Sequence, residues 1–198
     1  MRLLAFISIA MFLASCSSKD KDPGYFDMPG FLKTTSMELG AEELDVSKKA
    51  TLDGKETSID LFLYEASWLD DYTESRWGIN MAQPRWYGQI KVLEEANPNL
   101  PKYRDKFEIE EGTIEKGGEL LSFTHYVAKN KSLDIKELYM EELDGEVRFL
   151  KAEIAHDNVL ASNHRSYEFV TNESLKISGE QNIIFLKPSS YDIQIDFQ

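Results

Sequence analysis

A chain of 198 residues with 35 acidic and 22 basic side chains carries a net charge of −13. That balance disfavours nucleic acid and anionic headgroups, since both need clustered Lys or Arg against their phosphates, and Lys48-Lys49 and Lys129/Lys131 are short clusters. Eleven Phe, nine Tyr and three Trp argue for one packed domain and against disorder.

Met1-Arg2 is a short positive start, Leu3 to Ala14 an apolar run broken only by Ser8, and Leu13-Ala14-Ser15-Cys16 a lipobox. This is the layout of a bacterial secretory signal whose cysteine becomes the acylated N-terminus. The run is too short to cross a bilayer as a helix, which takes roughly twenty residues. Residues 1–15 are therefore expected to be a signal peptide, and 16–30 the acylated Cys16 with a tether. Residues 31–198 are expected to form a single globular domain, with a helical and hairpin front over 31–105 and an antiparallel sheet over 106–198. Cys16 is the lone cysteine, so it is the expected lipid attachment site and no internal disulfide can form. Two or three acyl chains on Cys16 anchor stably where a single chain binds marginally. Ser17-Ser18-Lys19-Asp20-Lys21-Asp22-Pro23-Gly24 is polar enough to be a flexible tether. Ser17 in place of aspartate fits, by analogy with enterobacterial sorting, an outer-membrane lipoprotein of either leaflet.

Pro23, Gly24, Pro29 and Gly30 argue against helix before Phe31. Ser36 to Val46 is expected to be a short helix capped by Ser36, with Met37 and Leu44 as its apolar contacts. Asp53-Gly54 is a strong hairpin turn, and its polar arms, 47–51 and 55–59, belong at an edge or on the surface. Leu61, Tyr64, Trp68, Leu69 and Tyr72 recur at helical spacing after Asp60. Trp86, Ile90, Leu93 and Asn97 do so after Pro84, and Asn97-Pro98 stops that helix.

From Phe107 onward the period changes to two. Six strands are expected: Leu120 to Ala128, Leu133 to Glu141, Val147 to Ala155, Leu160 to Val170, Leu175 to Leu186, and Tyr191 to Phe197. Turn signals such as Asp144-Gly145 and Thr171-Asn172 separate them. In the last strand Tyr191, Ile193, Ile195 and Phe197 alternate with Asp192, Gln194 and Asp196, the mark of one buried face. The expected fold is α+β: short N-terminal helices packed on a one-sided antiparallel meander, curled as far as a half-barrel. Gly179, in mid-strand, is a position for a bend or bulge.

Leu93-Glu94-Glu95-Ala96-Asn97-Pro98-Asn99, then Pro101-Lys102-Tyr103-Arg104-Asp105, and later Ile177-Ser178-Gly179-Glu180-Gln181-Asn182-Ile183 resemble a group of Bacteroidota outer-membrane lipoproteins without established activity. The order of parts over residues 46 to 198 is similar too: polar hairpin, tryptophan-led helix, meander. The chain departs from the group by carrying Asp60 to Gln83 between hairpin and helix, and Leu175 where the group tends to have Tyr. The resemblance implies envelope location and topology, and it implies no catalytic residue.

His125, His156 and His164 are the candidates for acid/base work or metal ligation. His156-Asp157 with His164 would gather ligands only if the chain reversed, because eight residues of strand span about 27 Å. No Gly-x-Ser-x-Gly elbow is present, and the acidic pairs Asp70-Asp71, Glu94-Glu95, Glu110-Glu111 and Glu141-Glu142 read as solvated face. No metal, cofactor or catalytic residue is therefore expected. Trp68, Tyr72, Trp77, Trp86 and Tyr87 crowd into twenty residues, either as core or as an exposed patch for a partner. Two functions fit: a non-catalytic interaction module meeting an envelope protein or glycan, or a carrier holding an apolar ligand between sheet and helices.

Overall fold

The computed structural model describes residues 24–41, 46–61 and 87–197, with the side chains of 41 and 57–61 excepted. The expected helix from Leu61 to Tyr72 and the residues Cys16, Trp68, Tyr72, Trp77 and Trp86 lie outside the described residues. The described chain is dominated by one antiparallel sheet of nine strands. These are β1 Val46–Leu52, β2 Lys55–Leu61, β3 Phe107–Lys116, β4 Glu119–Ala128, β5 Ile135–Leu143, β6 Glu146–Asp157, β7 Ala161–Val170, β8 Ser174–Ile183 and β9 Ser189–Phe197. Their order is β2-β1-β9-β8-β7-β6-β5-β4-β3, so the sheet is open, with β2 and β3 at its free edges.

The six expected strands are present as β4 to β9, with different limits. Leu160 and the run Ile184 to Leu186, expected in strands for their apolar character, stand in the connections after β6 and β8. A seventh member, β3, precedes the six. The N-terminal hairpin completes the sheet, because β1 pairs along its whole length with β9, from Val46↔Phe197 to Leu52↔Tyr191. The polar hairpin does put β2 at an edge. Its turn has φ of 48° at Asp53 and 79° at Gly54, the doubly left-handed turn that matches strand twist. The Asp53 carboxylate accepts from Ser190 N at 3.0 Å and ties that turn to the start of β9.

Helix α1 runs Met28–Ala41, which corrects the expected Ser36 to Val46 and the exclusion of helix before Phe31. Pro29 lies in the first turn, where a missing N–H costs nothing. Asp27 caps that turn: its carboxylate accepts from Gly30 N at 3.2 Å and its carbonyl from Phe31 N at 2.9 Å. The contacts also differ, since Met37 is 48% exposed and Met28, Leu32 and Leu39 are the buried positions. Tyr25 and Phe26, expected in the tether, are packed too: Tyr25 stacks on Tyr126, and Phe26 N donates to the Tyr126 hydroxyl at 3.2 Å. Of the tryptophan-led helix the described part runs over 87–90 and tightens into a 3-10 helix, Lys91–Ala96, which ends at extended Asn97.

Cross-strand register assigns the faces. Met140, Leu150, Phe169, Leu175 and Ile195 follow one another across β5 to β9 and share a face. Met28, Leu32, Leu39, Ile90, Leu93 and Ala96 join them in one core, all fully buried. The helical pieces therefore cover this face. Among the described residues no helix is long and apolar enough to cross a membrane.

Candidate functional site

On the opposite face the alternate residues of the same strands come forward, and across β3 to β6 they are aromatic. Gly112, Phe123, Glu141 and Phe149 stand in one cross-strand row, with Tyr139 and His125 in the next. Phe123 and Tyr139 stack with ring centres 5.9 Å apart, and Phe149 meets the Tyr139 edge at 6.3 Å. Gly112 is what lets Phe123 lie flat: a Cβ there would fall 2.7 Å from the ring. The sequence signal for this row is the pairing of a glycine with an aromatic across the β3–β4 turn, visible only once the register is known.

A carboxylate holds the row together. Glu141 lies between Phe123 and Phe149 and is only 5% exposed. Lys116 Nζ sits 2.9 Å from its Oε2 and 5.2 Å above the Phe149 ring, and the Tyr139 hydroxyl donates to its Oε1 at 3.2 Å. A buried charge survives only with such partners. Burial, with the Glu141 charge beside it, pushes the Tyr139 hydroxyl pKa up. His125 Nε2 sits 2.9 Å from Glu137 at the rim. On the same face, Ser166 of β7 and Ser178 of β8 line a depression of about 320 Å³ together with Glu153, Glu180 and His164.

The covered face carries two polar clusters. Glu95, from the 3-10 helix, receives Arg165 at 2.7 Å and the Tyr167 hydroxyl at 3.1 Å. Tyr167 is fully buried, and burial, followed by the Glu95 charge, raises its pKa well above the ordinary tyrosine value. Asp134 gathers Lys102 at 2.7 Å, the Tyr103 hydroxyl at 3.3 Å and His156 Nδ1 at 3.2 Å. The Lys102 hydrogen bond holds the Asp134 carboxyl below its usual range. Both clusters join sequence-distant segments as structural staples, and in the second Lys102 and His156 stay open to solvent.

The chain does reverse at the β6–β7 turn, and it brings His164 Nε2 to 2.9 Å from Asp157. His156 points to the other face, toward Asp134, so the three do not converge. Among the described residues no group of three or more His, Cys, Asp or Glu is placed to hold a metal ion. Of the five expected aromatics, Tyr87 alone is described. It is half-buried against the core, and its hydroxyl donates to Glu94, whose acceptance raises its pKa to about 12. A groove of about 520 Å³ beside α1 has Phe26, Phe31 and Val147 on its walls and Asp27, Glu38 and Arg148 at its margin. No protein family matches this chain, and neither a curated protein nor a solved structure does.

Proposed function

We propose that this protein is a lipid-anchored component of the bacterial envelope, held at the outer membrane through Cys16, that binds a protein partner on its uncovered sheet face without catalysis. The observation that carries the reading is the Phe123–Tyr139–Phe149 row, locked by Gly112 and the Glu141–Lys116 pair on the face that α1 leaves free. Rigid aromatics ringed by polar side chains are the usual centre of a protein interface. A broad sheet face suits a macromolecule better than a small ligand, which prefers a concave site. In the same reading the strand twist curls the nine strands into a half-barrel around the helical pieces.

The groove beside α1 favours the carrier alternative by its Phe26 and Phe31 walls, but a charged margin and a filled core beneath the helices weigh against it. The lipobox and the likeness to envelope lipoproteins support the anchor. A photo-crosslinking amino acid at position 139 of the full chain, expressed in cells, separates these readings. A discrete protein adduct is expected in the membrane fraction, lost on combining Phe123→Ser with Phe149→Ser and released to the soluble fraction by Cys16→Ser. If the same adducts form from a probe at Thr34 on α1, or an apolar small molecule is the only species captured, the interaction reading fails.

A further inference from the structure

The strand connections leave the sheet at two opposite ends. One end holds the β1–β2, β4–β5, β6–β7 and β8–β9 connections and the segment entering β3. The other holds the β3–β4, β5–β6 and β7–β8 turns. At the first end the apolar residues face outward. Val159 is 88% exposed and Phe185 100%, Leu160 and Leu186 are largely open, and Ile184 is about half exposed. They form one patch, because Ile184 N donates to the Leu160 carbonyl at 2.9 Å across the two tips. Single exposed apolar residues are ordinary, whereas a contiguous patch marks a contact surface.

Phe185 is the most telling of the five. Leu186 N closes a tight turn on the Ile183 carbonyl at 3.0 Å, and Phe185 holds φ of 71° within it. That position normally takes Gly or Asn, because a Cβ is strained there. The phenylalanine accepts the strain and gains no burial among the described residues. An outlier of this kind points to a contact outside the chain.

Charge at this end is reversed relative to the whole. Its connections present Lys102, Arg104, Lys106, Lys129, Lys131 and Lys187 against Asp53, Asp105 and Asp134, in a chain of net −13. The turns at the other end offer Asp144 and Glu173 and no cation. Apolar tips flanked by Lys and Arg are complementary to an anionic bilayer surface, where rings enter the headgroup boundary and cations meet phosphate.

The path of the chain agrees. Gly24 lines one small cavity with Pro98, Pro101 and Arg104, and the Tyr25 hydroxyl accepts from Asp105 N at 2.7 Å, all at this same end. Eight residue steps separate Gly24 from Cys16, a reach of at most about 28 Å. From β3 to β7 is four strand spacings, about 19 Å. An acylated Cys16 is thus within reach of the tips.

We infer that this end of the sheet lies on a phospholipid bilayer, with Val159, Leu160, Ile184, Phe185 and Leu186 in the headgroup boundary and the surrounding Lys and Arg on anionic headgroups. The orientation rests on the anchored reading above, whereas the patch and its charge do not. The test places an environment-sensitive fluorophore on Phe185→Cys in the processed full-length protein, reconstituted in vesicles of phosphatidylethanolamine and phosphatidylglycerol. Acylation blocks Cys16, so the new thiol is labelled alone; mass spectrometry of the mature N-terminus reads the acylation separately. Where Cys16 proves free, the label is read on the Cys16→Ser background. Blue-shifted emission quenched by doxyl-labelled lipid is expected at 185, and at Leu160→Cys as a second site. Water-like, unquenched emission is expected at Asp144→Cys, and weaker quenching at 185 when phosphatidylcholine replaces the anionic lipid. An acylated protein whose 160 and 185 probes stay in water overturns the docking and leaves the anchor standing. An unacylated chain whose probes are still quenched overturns the anchor and supports the docking.

Discussion

Gly179 and Tyr191 face each other across β8 and β9, and a Cβ at 179 would fall 2.4 Å from the tyrosine ring. The pairings of β8 with β7 and β9 run through Gly179 without a break, so the glycine is a bed for a ring and not the bend or bulge its sequence position suggested. The register shifts of the sheet occur instead between β5 and β6. Gly179→Ala should cost about 1–3 kcal/mol by overpacking. The same change in a Tyr191→Ala background should cost much less, because the clash is gone. Urea unfolding of the four proteins of this cycle checks it, and equal losses in both backgrounds would show that the ring does not lie on the glycine.

At the scale of elements, alternation was legible wherever one face is buried and the other is not. In β9, Ile195 and Phe197 are buried and Asp192 is exposed, as the sequence pattern required. β3 falls inside the period-two stretch that starts at Phe107, yet no separate strand is readable there, because only Phe107 is buried in it; as an edge strand rich in Glu, it has little apolar face to alternate. Helix α1 was hidden by Pro29 and Gly30, read as breakers although the first turn tolerates both and Asp27 caps it. The aromatic row was illegible because Phe123, Tyr139 and Phe149 meet only through register. If β9 is packed as described, Ile195→Ala should cost about 2–5 kcal/mol by leaving a cavity. Gln194→Ala, on the other face, should change stability by about 0.5 kcal/mol or less. Thermal midpoints of both variants decide it, and equal effects would remove β9 from the core.

For the whole molecule, net charge concealed more than it told. A value of −13 argues against anionic surfaces, yet cations from three separate stretches of sequence gather at one end of the sheet, which only the fold brings together. Stability should also carry the imprint of buried phenols. Tyr167 has its pKa raised by burial and by Glu95, so the folded state holds that proton after the unfolded chain has lost it. The sign follows: this contribution is complete below the unfolded value near pH 10 and is lost as pH rises above it, by up to about 1.4 kcal/mol per pH unit. Urea midpoints at pH 9 and pH 11 should therefore fall farther apart in the native protein than in Tyr167→Phe. An equal fall in both would place the alkaline loss elsewhere.

The pairing of β1 with β9 has a kinetic side. Strands β3 to β9 close by successive local hairpins, which form early because little loop entropy opposes them. The first hairpin has no such neighbour in sequence; its place is the outer side of the ninth strand, so β1 and β2 must wait until β9 is laid down. A chain threaded N-terminus first through a translocation pore would therefore emerge with its earliest strands unable to settle. On the far side of such a pore the sheet would stay incomplete until β9 had followed, with the unpaired first hairpin the last element to dock.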